Sequence, residues 1–177
     1  MIEGDIMGFD ILDVKEFIKD SAIYIGIFIV VFLLIVYVVG FSRVVGPSMQ
    51  NSLNDGDITV ISNFHYNLFD IKRGDVVSVR HSNALLIKRV VGLPGDQLRF
   101  EDGMLYVNDE VYENENFIID PDFNETYDEI EKGYIFILGD NQTDSLDSRD
   151  IGPVLKENVD GKIVFRFFPF NNMGLIK

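Results

Sequence analysis

The longest apolar run of the chain lies near its N-terminus. Residues 22–41 contain no Asp, Glu, Lys or Arg. A helix of this length measures about 30 Å, which is about the thickness of the hydrocarbon core of a bilayer. The run therefore predicts one transmembrane helix over 22–41, preceded by a short cytoplasmic segment over 1–21. A buried soluble helix and a cleaved signal peptide are the alternatives, and both are usually shorter.

The orientation of this helix follows from its basic neighbours. Lys15 and Lys19 precede the run, and only Arg43 follows it closely. Lys and Arg are more frequent on the cytoplasmic side of a span. The sequence thus favours a cytoplasmic N-terminus and places the rest of the chain on the extracytoplasmic face.

After residue 42 the pattern changes to short β-branched or aromatic segments bounded by Gly, Asn, Asp or Pro. Such segments are typical of strands joined by turns. No long amphipathic helix is evident after residue 45. The pattern therefore predicts an all-β domain over 42–177, long enough to bury an adequate core. The predicted strands are 57–62, 75–80, 84–92, 104–107, 134–138 and 162–168.

The acidic residues are concentrated as strongly as the apolar ones. The chain has 29 Asp and Glu against 15 Lys and Arg, a net charge of −14, and residues 101–131 contain no Lys or Arg. A strongly acidic protein is a poor ligand for phosphate backbones, so nucleic acid is excluded as a partner. The chain has no Cys and only two His, so no disulfide, Cys-ligated metal or thiol nucleophile is available.

One part of the acidic segment imitates a calcium loop. The ligand spacing fits, but Glu125 stands where the tight turn needs Gly, and no flanking helices are evident. A solvated acidic insertion is the better interpretation, and no metal is predicted. The residues that match the spacing are Asp120, Asp122, Asn124, Asp128 and Glu131.

With these chemistries removed, a hydrolytic site would use Ser with Lys, or paired carboxylates. Ser48 follows Gly46 and Pro47 shortly after the apolar run, and Lys88 lies in an apolar strand beside Arg89. Neighbouring strand residues face opposite sides, so one of the two cations is expected in an apolar site. Desolvation lowers the pKa of a lysine, and a neutral amine accepts the proton of a serine hydroxyl.

A third feature is the polar loop 139–152, which follows an apolar strand. It reads Gly-Asp-Asn and then Ser145-x-Asp147-Ser148-Arg149-x-x-Gly. Together with Val-Gly-Pro-Ser-Met at 45–49, Arg-Gly-Asp-Val-Val at 73–77 and Lys-Arg-Val-Val-Gly at 88–92, this order resembles the bacterial type I signal peptidases. These are membrane-anchored Ser–Lys proteases, and the resemblance covers nearly the whole chain.

The resemblance implies a role for each matching residue. Ser48 would be the nucleophile, Lys88 the general base and Ser145 the hydroxyl that orients the amine. Asp147 and Arg149 would form an ion pair that braces the loop. Some members carry a hydroxyl for the oxyanion hole at the position of Gly46. The glycine here resembles the Gram-positive type, which lacks that hydroxyl. Apolar pockets for small side chains would be lined by Val44, Met49, Leu53, Leu86 and Ile87.

It also implies the architecture and the activity. The expected fold is an antiparallel β peptidase domain over 42–177 with a small β subdomain over about 97–133, preceded by one transmembrane helix. The expected activity is cleavage of signal peptides from exported preproteins at the membrane surface, without a cofactor. P1, the residue before the scissile bond, and P3, two residues further upstream, would be small. The implied partners are these preproteins, the lipid bilayer and a nearby secretion translocon.

The chain departs from the family pattern at three places. The usual Pro-Thr is Asn51-Ser52, the usual arginine after Gly-Asp-Asn is Gln142, and the usual Asn-Gly of a hairpin is Asn108-Asp109. A specialised paralogue for a dedicated exported substrate such as a pilin, or a catalytically silent membrane-tethered assembly factor, therefore stays open. A LexA-like autoprotease would need a DNA-binding or soluble partner region. A ligand-binding β-domain would leave the order of the motifs unexplained.

Overall fold

The computed structural model describes residues 11–118 and 120–176, and the chain divides after Val38 into two units. Within the described residues, the first unit consists of helix α1 (Ile11–Val38). This helix begins earlier than predicted and ends at Val38. Residues 39–41 were predicted to continue it, but they belong to the strand Val39–Arg43, in which all five residues pair with a neighbouring strand. Residues 1–10 of the predicted cytoplasmic segment lie outside the described residues.

The helix of the structure thus has other bounds than the 22–41 predicted for a transmembrane helix. Over the residues that the structure describes, no helix combines the length and the apolarity needed to cross a membrane.

The second unit is built from short strands. Its described helices are two four-residue turns, α2 (His65–Leu68) and α3 (Ser148–Ile151), and two 3-10 turns, Lys156–Asn158 and Phe170–Asn172. The strands, in chain order, are β1 (Val39–Arg43), β2 (Ile58–Ser62), β3 (Val76–His81), β4 (Ala84–Gly92), β5 (Leu98–Glu101), β6 (Met104–Val107), β7 (Glu110–Val111), β8 (Glu125–Tyr127), β9 (Tyr134–Leu138), β10 (Val154–Leu155), β11 (Val159–Phe168) and β12 (Gly174–Leu175).

Eight of these strands form one large sheet in the order β1-β2-β11-β3-β4-β9-β10, with β12 on β11. Every pair of named strands is antiparallel, which confirms the predicted antiparallel β fold. Burial alternates along β2, as expected for a strand with one face on the core. In contrast, Val76–Val79 of β3 are all buried, because Val76 packs in one apolar cluster and Val77 and Val79 pack in another.

The other four strands form a small sheet in the order β7-β6-β5-β8. They lie within the predicted small subdomain, residues 97–133. The core of this sheet is aromatic: the ring of Phe100 contacts those of Phe123, Tyr127 and Phe136 at centroid distances of 5.0–6.2 Å. We use small subdomain for residues 97–133 below.

The large sheet brings two segments close to Lys88. The turn 48–52 follows β1, and the loop 139–152 follows β9, which is hydrogen-bonded to β4 from Arg89 onwards. Residues 84–88 of β4 pair with β3 only, so their other edge is open. The turn is fixed from below by Met49 and Leu53, which are fully buried in one apolar cluster. Burial of each such side chain contributes about 1.5–3 kcal/mol.

Candidate active site

Ser48 and Lys88 lie in contact although 40 residues separate them in the chain. The Nζ atom of Lys88 is 2.6 Å from the Oγ atom of Ser48. Lys88 points from β4 towards the turn that follows β1, and its side chain is buried. At this distance a neutral amine accepts a hydrogen bond from the serine hydroxyl, which is the geometry required of a general base.

The surroundings of Lys88 favour its neutral form. Burial lowers the pKa of Lys88 from 10.5 to about 8, because a charged ammonium is poorly solvated there. The carboxylates of Asp147 and Asp140 act in the opposite direction, and the Arg149 guanidinium lowers the pKa further. Desolvation outweighs the two carboxylates, so half of the amine is neutral near pH 8.

Residues 46–53 are called the nucleophile turn, after the role predicted for Ser48. The backbone of this turn presents a free N–H donor. Gly46 has a φ of +87°, a conformation that glycine adopts without strain, and its N–H donates to Asp55 at 2.9 Å. The turn is closed by bonds from Gln50 N–H to Pro47 and from Leu53 N–H to Met49. The N–H of Ser48 donates to no described residue, so it is free to bind a developing oxyanion.

Arg89, the neighbour of Lys88 on β4, is also a buried cation, and it is paired with a carboxylate. Its guanidinium donates two bonds of 2.8 Å to the carboxylate of Asp140, and both side chains are buried. It also donates to the carbonyl of Gly74 and to Oγ of Ser52. The buried cation therefore fixes the loop 139–152 and the nucleophile turn against β4, a role that the sequence analysis did not assign.

Asp147 organises the polar loop. Its carboxylate accepts from the N–H of Gly139 at 2.9 Å and from Nε of Arg149 at 2.9 Å. It also caps α3 by accepting from the N–H of Arg149. Arg149 in turn donates to the carbonyl of Gln142 at 2.6 Å. The ion pair implied by the resemblance is thus present, and it closes the loop on itself.

Ser145 lies beside the dyad without a hydrogen bond. Its Oγ is buried and has no partner among the described residues. It packs against Gly139, where an added Cβ would lie 2.2 Å from Oγ of Ser145 and 2.5 Å from the carbonyl oxygen of Ser48. Gly139 is therefore a close-approach position that the sequence analysis missed. Its signal is a glycine directly after a fully apolar strand.

The five apolar residues predicted to line pockets are only partly together. Val44, Met49 and Leu53 are buried in one cluster, and Ile87 packs against it. Leu86 is absent from this cluster, because neighbouring residues of a strand face opposite sides. The four that meet form one apolar cluster, in which Val44, Met49 and Leu53 are buried and Ile87 is partly exposed.

The carboxylates of the calcium-like segment are not grouped around a common point in the described part of the chain. Across the described residues, no group of three or more His, Asp or Glu side chains is arranged to hold a metal ion. One carboxylate oxygen of Asp120 lies 3.7 Å from Nη1 of Arg149, and its other oxygen accepts from the N–H of Asp122. Asp120, the first residue of the calcium-like spacing, is therefore already in contact with groups of the protein.

An antiparallel β fold that holds a serine hydroxyl against a buried lysine amine is typical of serine peptidases with a Ser–Lys pair. The sequence model of "Signal peptidase, peptidase S26" matches residues 14–168. Signal peptidase IB of Staphylococcus aureus (strain Mu50 / ATCC 700699) is 33% identical over 164 residues, covering 81% of this chain and 85% of the relative. Signal peptidase I of Bacillus caldolyticus is 33% identical over 147 residues, covering 73% and 79%.

A solved structure shares the fold. It is a signal peptidase I from Enterococcus faecalis V583, with a TM-score of 0.50 and 23% identity over 54% of this chain and 98% of that chain. The chain belongs to the signal peptidase family, peptidase S26. It is a serine peptidase, a hydrolase that removes signal peptides from preproteins.

Proposed function

We propose that Ser48 is the nucleophile and Lys88 the general base of signal-peptide hydrolysis. The observation that carries this proposal is the 2.6 Å contact between Nζ of Lys88 and Oγ of Ser48. The lowered pKa of Lys88, about 8, supports it, because a neutral amine is needed to take the serine proton. A silent assembly factor would not need this contact.

The reaction then runs in two steps. Oγ of Ser48 attacks the scissile carbonyl carbon while its proton passes to Nζ of Lys88. The resulting ammonium gives this proton to the leaving amine, and the C–N bond breaks to leave an ester on Ser48. Water attacks the ester with Lys88 again as base, which releases the signal peptide and restores the hydroxyl.

The oxyanion of each step needs a donor close to Ser48. The N–H of Ser48 is one, and the absence of an acceptor for it among the described residues supports this role. A single such donor contributes about 2.7–4 kcal/mol to transition-state stabilisation in a well-studied serine protease. Gly46 contributes through its backbone conformation, since its own N–H is bound to Asp55.

The substrate adds as an extended strand along the open edge at 84–88. Backbone groups on this edge have no strand partner on one side, which is the requirement for strand addition. The P1 and P3 side chains pack over the cluster of Val44, Met49, Leu53 and Ile87, of which Ile87 is the partly exposed member. Because the other three are already buried, little apolar area remains open there, which suits small side chains.

The second unit works at a membrane surface, on the extracytoplasmic side and near the secretion translocon where preproteins emerge. A patch of exposed aromatic rings supports this location. Phe167 contacts Phe41 and Phe170 edge to face, and Phe168 contacts Phe170 at 5.4 Å. Phe41 and Phe170 are 65% and 67% exposed. Clustered exposed rings of this kind mark protein or membrane contact sites.

The dyad is tested by cleavage of a preprotein with Ala at P1 and P3. The wild type, Ser48→Ala and Lys88→Ala are compared, with Ser62→Ala and Lys132→Ala as matched controls outside the site. Each dyad variant should lose more than about a thousandfold in kcat, as expected when an essential group is removed. The controls should stay near the wild type. Cleavage by either dyad variant at the wild-type rate would overturn the assignment.

The membrane location is tested by sedimentation of the protein with anionic vesicles. A variant with Phe167→Ser, Phe168→Ser and Phe170→Ser should bind less than the wild type, and Phe69→Ser, an exposed ring outside the patch, should not differ. Equal binding by all three proteins would remove the patch from the membrane contact.

A further inference from the structure

The small subdomain contains a cavity of about 380 Å³ that the proposed reaction does not use. Its inner wall is apolar and largely aromatic. This volume is sufficient for a long side chain. The apolar residues of the wall are Phe100, Leu105, Val111, Phe117 and Phe123.

The rim of the same cavity is acidic. Glu113, Glu115 and Asp120 line it, and residues 101–131 contain no Lys or Arg. Glu113 and Glu115 form no ion pair with any residue that the structure describes. The cavity therefore combines an apolar wall with two carboxylates that lack a counter-charge.

The protein already places one cation against this wall. The guanidinium carbon of Arg149 lies 5.3 Å from the centre of the Phe123 ring, and its Nη1 is 3.7 Å from Asp120. A cation over an aromatic face next to a carboxylate is a favourable arrangement. Arg149 partly compensates Asp120 and leaves Glu113 and Glu115 for a cation from outside.

The cavity wall is directly connected to the nucleophile turn. Gln142 lines the cavity, and its neighbour Asn141 donates its N–H to the carbonyl of Ser48 at 3.0 Å. From the turn itself, Nδ2 of Asn51 donates to the carbonyl of Asn116 at 3.1 Å. Hydrogen bonds therefore join the wall of the cavity to the turn that carries Ser48.

The direction in which the substrate binds along β4 determines whether its upstream or its downstream residues come close to the cavity. This step rests on the proposed function. If the residues upstream of the scissile bond lie along 84–87, the downstream residues continue past Lys88. There β4 pairs with β9, Arg89 opposite Leu138, and the chain after Leu138 leads through Gly139 to Gln142. The first residues of the mature protein therefore approach the cavity.

We propose that this cavity binds a Lys or Arg side chain of the mature protein, a short distance downstream of the cleavage site. The aliphatic stem packs on the aromatic wall, and the charged head lies between Glu113 and Glu115 at the rim. Long basic side chains commonly bury their stems in this way. The inferred substrate class is exported proteins whose mature N-terminal segment carries a basic residue.

A panel of preproteins tests this specificity. All share one signal peptide with Ala at P1 and P3, and each carries a single Lys, Glu or Ala at one of the first six downstream positions. We expect one position at which Lys lowers KM by about two- to fivefold relative to Ala, in the range of exposed ion pairs, while Glu raises it. This difference should shrink as salt is added.

Two charge-matched variants locate the effect. Glu113→Gln with Glu115→Gln should abolish the preference for Lys and leave cleavage of the Ala substrate unchanged. Glu129→Gln with Glu131→Gln removes the same charge from the small subdomain but not from this cavity, and should retain the preference. Binding of the Lys and Ala peptides to the Ser48→Ala protein, followed by fluorescence anisotropy, should show the same order.

The outcomes separate this inference from the proposed function. Failure of the wild type to cleave the Ala reference substrate would overturn the proposed function. Normal cleavage of that reference without preference for Lys at any position would overturn the cavity assignment alone. A preference that both double variants reduce equally would show a general effect of net charge and would also reject the cavity as the site.

Discussion

The site region and the small subdomain handle their charges in opposite ways. Around Ser48 the charged side chains are buried and paired: Arg89 and Asp140 are 2% and 0% exposed, and Arg149 and Asp147 are 6% and 0% exposed. In the small subdomain Arg99 faces Glu101 and Asp109, whose side chains are 55% and 89% exposed. Both regions have apolar cores, so the difference lies in what surrounds those cores.

This contrast indicates where the chain tolerates change. Removal of one member of a buried ion pair leaves an uncompensated charge in a poorly solvated place, so each partner becomes necessary. An exposed charge is screened by water and contributes little. The site region is therefore held in one arrangement, whereas the small subdomain is free to vary its surface and, with it, the substrates that it favours.

The largest expected effect follows from breaking the buried pair. Asp140→Ala should lower the free energy of unfolding by about 3–5 kcal/mol, because the buried guanidinium of Arg89 would keep its charge and lose the carboxylate that accepts two of its hydrogen bonds. The matched control is Asp160→Ala, which removes the partner of Arg80, a side chain 70% exposed, and should cost less than about 1 kcal/mol. Urea unfolding measures both. Similar losses for the two variants would contradict the contrast.

The dependence of cleavage on pH is the next largest effect. The neutral amine of Lys88 is the active form, and its pKa is about 8, so kcat/KM should rise with pH up to that value. Below it the neutral fraction falls about tenfold per pH unit, so the rate at pH 6 should be about a hundredth of the plateau. A profile that is flat between pH 6 and 9 would exclude Lys88 as the base. Lys132→Ala serves as the control and should reproduce the wild-type profile.

The smallest effect is expected in the small subdomain. Glu129→Gln with Glu131→Gln should change the free energy of unfolding by less than about 0.5 kcal/mol at moderate salt, because these carboxylates are exposed. Relief of repulsion among neighbouring acids should give any change a stabilising sign at low salt. A loss comparable to that of Asp140→Ala would mean that the acidic surface has a structural role.

Strands with a continuous run of β-branched, aliphatic or aromatic residues were predicted well in both sheets. The bounds predicted for 84–92, 104–107 and 134–138 agree with those of β4, β6 and β9. The strand at Val39–Arg43 was missed because its residues continue the apolar run, and no alternation marks the change from helix to strand. Strands of two or three residues, such as β7 and β8, contain too few positions for any pattern.

The site was predictable only as far as its motifs extend. Ser48 and Lys88 were identified from ordered sequence motifs, and the structure brings them together. The contacts of Asn51 with Asn116 and of Arg149 with Asp120 join residues 65 and 29 positions apart. Nothing in the local sequence encodes such tertiary contacts, because they depend on how the small subdomain packs beside the loop. The same reason hides the close approach at Gly139.

Asn51 has a consequence for engineering. It stands where the family pattern has proline, and its φ is +84°. Proline is restricted to a φ near −65°, whereas asparagine tolerates the left-handed conformation better than most residues. Restoring the family residue by consensus design would thus force the turn below Ser48 into another conformation and delete the bond to Asn116. Consensus design should therefore keep Asn51 and should not replace it with the proline of the family pattern.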